Sequence, residues 1–273
     1  MSEAMHEFAL VRPNSIDEAI KAAGGSLPSR YLAGGTDLIV NMRRGLVVEE
    51  QLIDLTGIRE LKQLSFDEAG LHIGSGVTLR KVAENKDISE NYRAITQACE
   101  AVAGPGHRAA ATAGGNLCLD TRCLYYNQSH WWRGANNFCL KFKGDTCHVA
   151  PTGNRCRAAF SGDLAPALMV HEAEVEIAGP NTRRRIALAD LYNEDGANHL
   201  HLSPGEILVA VHVPPPGAYG LEKSAYGKVR TRSAIDFPLA GIALSCSRSA
   251  DGALHFKAAV TGTNSRPFLI EGF

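Results

Sequence analysis

The sequence predicts a mixed α+β protein built from two units. Short apolar runs alternate with amphipathic stretches over the first part of the chain, as strands and helices do. A cysteine-rich stretch with no regular periodicity then interrupts this pattern. Beyond three consecutive prolines, the chain continues as alternating runs separated by turn residues, which indicates antiparallel strands. We therefore expect an α/β unit, an irregular insertion within it, and a smaller antiparallel α+β domain.

Length and composition limit the possible functions. The chain has 273 residues, which suggests about two domains. A net charge of −1 argues against a main role in binding nucleic acid or an anionic membrane. No apolar run approaches the ~18 residues of a membrane span, and the first eight residues lack a secretory signal. We expect a cytoplasmic protein with no nucleic-acid and no membrane partner.

Caps and glycines predict the first elements. Ser15 followed by Glu18 forms a capping-box pattern that opens a helix, which Gly24 and Gly25 end. A short strand at 30–33 leads through a glycine turn into a helix at 38–44. Further elements expected in this half are strands at 51–55 and 71–76 and helices at 78–85 and 89–103.

Residues 117–157 have neither a strand period nor a helix period. About forty residues without regular structure are unusual in a compact domain and need a physical reason. Five of the seven cysteines lie between positions 118 and 156. In a reducing compartment such clustering favours a metal site over disulfides. We therefore expect a metal or covalent staple in this segment.

Regular structure resumes after Asp163. We expect one domain over 1–216 and the start of a second over 217–273, incomplete at Phe273, with 214–216 as the linker. The elements predicted here are strands at 173–177, 207–213, 225–232, 240–247 and 254–260, a helical turn at Asp190 and a turn at 251–252.

Two glycine pairs are candidate phosphate-binding turns. They lie in residues 33–37 (Ala-Gly-Gly-Thr-Asp) and 112–116 (Thr-Ala-Gly-Gly-Asn). Backbone N–H groups before a helix attract anions, and glycine allows close approach, so the two turns could clasp a pyrophosphate. The alternative is that each pair only makes a tight turn. Residues 104–109 match a dinucleotide spacing, but a proline and the lack of a preceding strand count against it.

The cysteine spacing points to iron–sulfur rather than zinc. Cys123, Cys139, Cys147 and Cys156 are widely separated, whereas structural zinc sites show close pairs. An irregular loop can wrap a four-thiolate cluster, and the segment's arginines and lysines would stabilise its negative charge. Cys118 lies only five positions before Cys123, so spacing alone leaves the choice of ligands open. Packing or free thiols are the alternative, and we expect Cys99 and Cys246 to be core residues.

Both glycine motifs resemble the FAD pyrophosphate motifs of the flavin-binding medium subunits of molybdenum hydroxylases. Residues 224–230 and 260–267 are similar to that family's C-terminal domain. The resemblance implies a two-subdomain, PCMH/VAO-like FAD-binding domain with 117–157 as an inserted loop, followed by a partial CO dehydrogenase flavoprotein-like domain. The flavin-binding residues that it implies are Arg30, Tyr31, Leu32, Ala33, Gly34, Gly35, Thr36, Asp37, Val102, Thr112, Ala113, Gly114, Gly115, Asn116, Asp163 and Lys228.

The cysteine segment, with residues 115–127, resembles the β subunits of 4-hydroxybenzoyl-CoA reductases, which carry FAD and an extra [4Fe–4S] cluster. By that resemblance the cluster ligands are Cys123, Cys139, Cys147 and Cys156, while Cys118 lies outside the set. The resemblance implies no catalytic residue on this chain, because substrate chemistry takes place at molybdenum on another subunit.

The same resemblance implies partners and a direction of electron flow. A low-potential donor such as ferredoxin would reduce the cluster, and electrons would pass through FAD to a small subunit with two [2Fe–2S] clusters. A large molybdopterin subunit would convert 4-hydroxybenzoyl-CoA to benzoyl-CoA, in a dimer of heterotrimers. The alternatives are the FAD subunit of an oxidising molybdenum hydroxylase, with reversed flow, and a metal-stapled scaffold without redox turnover.

Overall fold

A computed structural model describes residues 5–216, 222–249 and 251–272, whose strands form three sheets. The first sheet is parallel, in the order β1-β3-β2. Its elements and the helices between them are β1 (Ala9–Val11), α1 (Ile16–Ala23), β2 (Ser29–Leu32), α2 (Leu38–Arg43) and β3 (Gln51–Asp54). Ser15 caps α1 by accepting from Glu18 N, and the helix ends at Gly24, as the capping pattern predicts.

The second sheet is antiparallel, in the order β4-β5-β8-β6-β7. Its strands are β4 (Leu64–Asp67), β5 (Gly70–Gly74), β6 (Glu174–Gly179), β7 (Thr182–Ala187) and β8 (Ile207–Val213). Ile207 and Val209 of the central β8 join a core with α1 and β3, whereas Leu208 and Val211 join the main core. Burial on both faces explains why β8 is apolar from Ile207 to Val211.

Short helices cover the side of this sheet that holds the main core. They are α3 (Leu79–Glu84), α4 (Lys86–Asn91), α5 (Arg93–Ala101), α6 (Pro105–Ala110) and α7 (Ala113–Leu117). The single helix expected at 89–103 is wrong, because Tyr92 separates α4 from α5. The buried Tyr92 ring anchors this break, and its hydroxyl donates to the Pro214 carbonyl at 2.7 Å.

The 117–157 segment is irregular, as expected, apart from α8 (His130–Ala135) and isolated bridges. One bridge joins Arg122 to Ala159 and closes the segment at its base. After it, α9 (Leu164–Met169) is buried along its whole length, and a 3-10 turn (Leu188–Leu191) lies at the predicted helical turn.

The third sheet follows the pattern of the predicted C-terminal strands. It is antiparallel, in the order β12-β11-β10-β9, with strands β9 (Glu222–Val229), β10 (Ala240–Arg248), β11 (Leu254–Thr261) and β12 (Phe268–Leu269). One face packs on α5 and α9. Residues 217–221 and Phe273 are outside the described residues, so the predicted boundary after 216 and the predicted truncation stay predictions. None of the helices in the described ranges is both long and apolar enough to cross a bilayer.

Candidate functional site

The first glycine turn presents unpaired backbone donors. It connects β2 to α2, and Gly35 has a φ of 68°, which favours glycine. Within the described part of the chain, the N–H groups of Gly34, Gly35, Thr36 and Asp37 donate to no acceptor. Successive free N–H groups of this kind form an anion-binding concavity. The turn therefore has the arrangement that the sequence predicts for a phosphate contact.

The second glycine turn differs from expectation. It folds into the short helix α7, and its N–H groups bond within the protein. Gly114 N donates to Ser75 O at 2.8 Å, and Gly115 N donates to Thr112 Oγ1 at 3.1 Å. The N–H groups of both glycines therefore already have acceptors within the protein. The two turns are therefore not equivalent.

Close packing against other backbone segments requires a glycine in each turn. A Cβ on Gly34 would lie 2.0 Å from the carbonyl oxygen of Ala110, at the end of α6. A Cβ on Gly114 would lie 2.6 Å from the Ser75 Cβ. Chain packing therefore requires glycine at both positions, in addition to any ligand.

A cavity of about 1380 Å³ lies between the two turns. Pockets for drug-sized ligands usually measure roughly 300–1,000 Å³, so this one has room for a dinucleotide. Leu32, Ala113 and Lys228 do not line it. The predicted flavin residues that do line it are Arg30, Tyr31, Ala33, Gly34, Gly35, Thr36, Asp37, Val102, Thr112, Gly114, Gly115, Asn116 and Asp163.

Other parts of the cavity wall were not predicted. Ser75, Gly76 and Thr78 follow β5 and lie under the second turn. Residues 46–49 and 235–237 also line the cavity. For Ser75, Gly76 and Thr78, the sequence did offer a signal, because Gly76 lies between a predicted strand and the predicted helix cap at Thr78. Residues 235–237 are distant in sequence, so only tertiary structure brings them to the site.

Asp163 is a buried acid in the cavity wall. It accepts hydrogen bonds from Tyr226 Oη at 2.7 Å and from Lys228 Nζ at 3.1 Å. Burial raises the pKa of Asp163, and the Lys228 ammonium opposes that shift. Lys228 also donates to the Ala101 carbonyl at 3.1 Å. The lysine therefore acts on the cavity through Asp163 and ties β9 to α5.

Replacing Lys228 by methionine is expected to lower the free energy of unfolding by about 2 kcal/mol near neutral pH, because a buried carboxylate loses its cation. The pKa of Asp163, already raised, should rise further. A raised folded-state pKa favours the protonated acid, so the loss should shrink as the pH falls through that value. Urea unfolding at several pH values measures this. Tyr226→Phe removes a hydrogen bond to the same carboxylate, which also lowers the Asp163 pKa, so its loss should be smaller and should shrink in the same direction of pH. Equal losses at all pH values in Lys228→Met would contradict the expectation.

The cysteines occupy four kinds of environment. Cys99 is buried in the core as expected, whereas Cys246 is only half-buried, so its assignment to the core is wrong. Cys118 lies in the cavity wall, and burial raises the pKa of its thiol to about 12. The four predicted ligands lie on the irregular segment, and two of them, Cys147 and Cys156, are buried. Among the described residues, no three His, Cys, Asp or Glu side chains converge as a single-ion metal site.

The cysteine segment packs against the cavity. Arg122, Tyr126, Lys141 and Phe142 of the segment line it. Tyr126 Oη donates to the Leu46 carbonyl at 3.0 Å. Lys141 Nζ donates to Asp120 Oδ1 at 2.8 Å, so this ammonium is paired inside the wall. The segment is thus part of the same site as the glycine turns.

A buried arginine in this segment forms no ion pair with any of the described residues. Arg133 is 3% exposed and lies over the rings of Tyr126 and Phe142, at 5.1 and 4.8 Å from their centroids. Its Nε and Nη1 have no hydrogen-bond partner in the described chain, and Nη2 donates to the Gly45 carbonyl. Buried charges are normally paired, so an anion would complete this arrangement.

The two glycine turns and the buried acid line one cavity with room for a dinucleotide, and comparison with known families defines the class of the protein. The family described as FAD binding domain in molybdopterin dehydrogenase matches residues 6–216. The chain belongs to this family. It is therefore an FAD-binding medium subunit of the molybdenum hydroxylase type.

Individual relatives support this membership. The chain is 32% identical over 276 residues to the aldehyde oxidoreductase FAD-binding subunit PaoB of Escherichia coli (strain K12), covering 98% of this chain and 85% of PaoB. It is 26% identical to the carbon monoxide dehydrogenase medium chain of Afipia carboxidovorans, covering 97% and 77%. A structure of carbon monoxide dehydrogenase from Hydrogenophaga pseudoflava has the same fold, with a TM-score of 0.76, 22% identity, and coverage of 98% and 79%.

Proposed function

We propose that this chain is the FAD- and [4Fe–4S]-carrying electron-transfer subunit of a molybdenum-containing 4-hydroxybenzoyl-CoA reductase. The position of the cysteine segment supports this most directly, because the segment forms part of the flavin cavity wall through Arg122, Tyr126 and Lys141. A cluster held there would lie beside the flavin site, as electron exchange requires.

The residues fit FAD. The four free N–H groups of the first turn would donate to the diphosphate, and the second turn would line the cavity beside it. Asp163, held by Tyr226 and Lys228, would lie against the ligand in the wall. When bound, FAD supplies the conversion between one-electron and two-electron transfer. The chain's own groups bind and orient it.

We propose Cys123, Cys139, Cys147 and Cys156 as the ligands of a cubane cluster, because all four lie on the irregular segment that lines the cavity. Burial raises the pKa of the Cys156 thiol to about 11, and Cys147 is buried as well, so two of the four thiols are shielded from solvent. A four-iron cubane holds its thiolates further apart than a single ion does. The absence of a single-ion site among the described residues is compatible with it. The unpaired Arg133 guanidinium fits an anionic group nearby.

The remaining features of the assembly follow from this assignment. The chain would work with a large molybdopterin subunit and a small [2Fe–2S] subunit, as a dimer of heterotrimers in the cytoplasm. A low-potential donor such as ferredoxin would deliver electrons for the dehydroxylation of 4-hydroxybenzoyl-CoA. No group on this chain would contact that substrate.

A second candidate is the FAD subunit of an oxidising molybdenum hydroxylase, with electrons flowing in the opposite direction. The 32% identity to an aldehyde oxidoreductase subunit favours it. The cavity and the cysteine segment would be the same in both cases, because the direction of electron flow depends on the redox potentials of the centres and on the partner subunits. A metal-stapled scaffold without redox turnover is the third possibility.

Two measurements separate these candidates. The visible spectrum of the purified chain is expected to show flavin bands and a broad iron–sulfur shoulder; a colourless zinc protein would support the scaffold. The purified complex, supplied with a reduced low-potential donor and 4-hydroxybenzoyl-CoA, should form benzoyl-CoA. Aldehyde or purine oxidation without dehydroxylation would instead assign the chain to the oxidising class. The chain alone should form no benzoyl-CoA.

A further inference from the structure

Arg122 joins three parts of the molecule at the cavity. It comes directly before Cys123, and its backbone pairs in both directions with Ala159, at 2.7 and 2.8 Å. Its guanidinium forms an ion pair with Asp37 at the end of the first glycine turn. It also stacks over the Phe237 ring, 4.6 Å from the centroid. These contacts fix the side chain in the cavity wall before any ligand binds.

The same guanidinium has nitrogens that donate to no acceptor among the described residues. Its Nη2 faces Asp37, while its buried Nε has no partner in the described residues. Only 13% of the side chain is exposed. Its Nη1 makes no hydrogen bond within the described residues and is not among the buried unpaired atoms, so this nitrogen is the one open to a ligand. The neighbouring turn has four free N–H groups, so donors of the same kind converge from two segments.

We infer that Arg122 is a diphosphate ligand of the bound dinucleotide, supplied by the cysteine segment rather than by either glycine motif. This inference rests on the proposed FAD site but not on the cluster. Arginine suits the role because its planar fork can bond Asp37 and a phosphate oxygen at once. Asp37 holds the fork, and the arginine neutralises a carboxylate that would otherwise repel the diphosphate.

ADP and AMP test the assignment, because only ADP contains the diphosphate. With the full chain freed of flavin, Arg122→Gln is expected to weaken both FAD and ADP by about tenfold or more, while AMP changes little. Calorimetric titration measures all three ligands. Arg183→Gln is the matched control, since Arg183 pairs with Glu60 and Glu176 and does not line the cavity.

The outcomes separate this inference from the proposed function. If the unmodified chain binds neither FAD nor ADP, the flavin site itself is wrong. The diphosphate assignment is wrong if the unmodified chain binds both ligands and the Arg122→Gln variant binds them with unchanged affinity. It is also wrong if the variant loses affinity for FAD and AMP but not for ADP. Should the glutamine variant not fold, Arg122→Lys decides: its ratio of ADP to AMP affinity is expected to fall, because lysine lacks the fork, and an unchanged ratio would overturn the assignment.

Discussion

Replacing Gly34 by alanine is expected to abolish stoichiometric FAD binding. The new Cβ would lie 2.0 Å from the Ala110 carbonyl oxygen and 2.5 Å from its carbonyl carbon, which are backbone atoms that cannot rotate away. The first glycine turn would have to move off the end of α6. Overpacking of this kind costs roughly 1–3 kcal/mol or more. The displaced turn would also carry its free N–H groups away from the diphosphate.

Gly106→Ala is the matched control for this change. Gly106 lies in α6, four residues before Ala110, and a Cβ there would meet nothing within 4 Å. Alanine is also the better helix former, so FAD content and stability should stay the same or rise slightly. Flavin absorbance after desalting, with circular dichroism to monitor folding, measures both variants. Full FAD occupancy in Gly34→Ala would mean that the turn does not form the diphosphate site.

Gly114 gives a second test of the difference between the turns. Gly114→Val would crowd Ser75 through the new side chain, whereas Gly35→Val would force a branched residue to a φ of 68°. Both are expected to lose flavin, for these two different reasons. Stoichiometric FAD in both variants would show that the turns have only a structural role.

Much of this fold follows from local sequence signals. The capping pattern at Ser15, the apolar run of β8 and the alternating C-terminal strands all correspond to observed elements. Local chemistry decides these features, since caps and periodicity depend on neighbouring residues. The break between α4 and α5 could not be read in this way, because the distant Pro214 carbonyl anchors Tyr92.

The candidate site shows the same limit. Both glycine turns were visible in the sequence, but their different hydrogen bonding was not. The carbonyl that occupies Gly114 N belongs to Ser75, on a loop that packs under the turn. Arg122 was visible only as one of several cations near the cysteines. Its pairing with Asp37 and Phe237 arises from tertiary contacts between segments far apart in sequence.

The cysteine assignment predicts the other large effect. Serine at Cys123, Cys139, Cys147 or Cys156 is expected to remove most of the iron, because a neutral hydroxyl replaces a thiolate ligand. Cys118→Ser is the matched control: it is the fifth cysteine of the region, but its thiol lies in the cavity wall beyond α7. Iron should stay near four per chain in that variant, the content of a cubane.

Iron content and flavin content should respond separately to these changes. The first glycine turn is built from residues outside the cysteine segment, so FAD should remain bound in the Cys139 and Cys147 variants.

Deleting residues 123–156 and bridging the gap with a short Gly/Ser linker should slow reduction of FAD by a low-potential donor, provided that FAD still binds. An unchanged rate would show that the segment is not on the path to the flavin. Iron loss in Cys118→Ser, with iron retained in Cys123→Ser, would instead show that the cluster uses a different set of thiolates and that Cys118, in the flavin cavity wall, belongs to it.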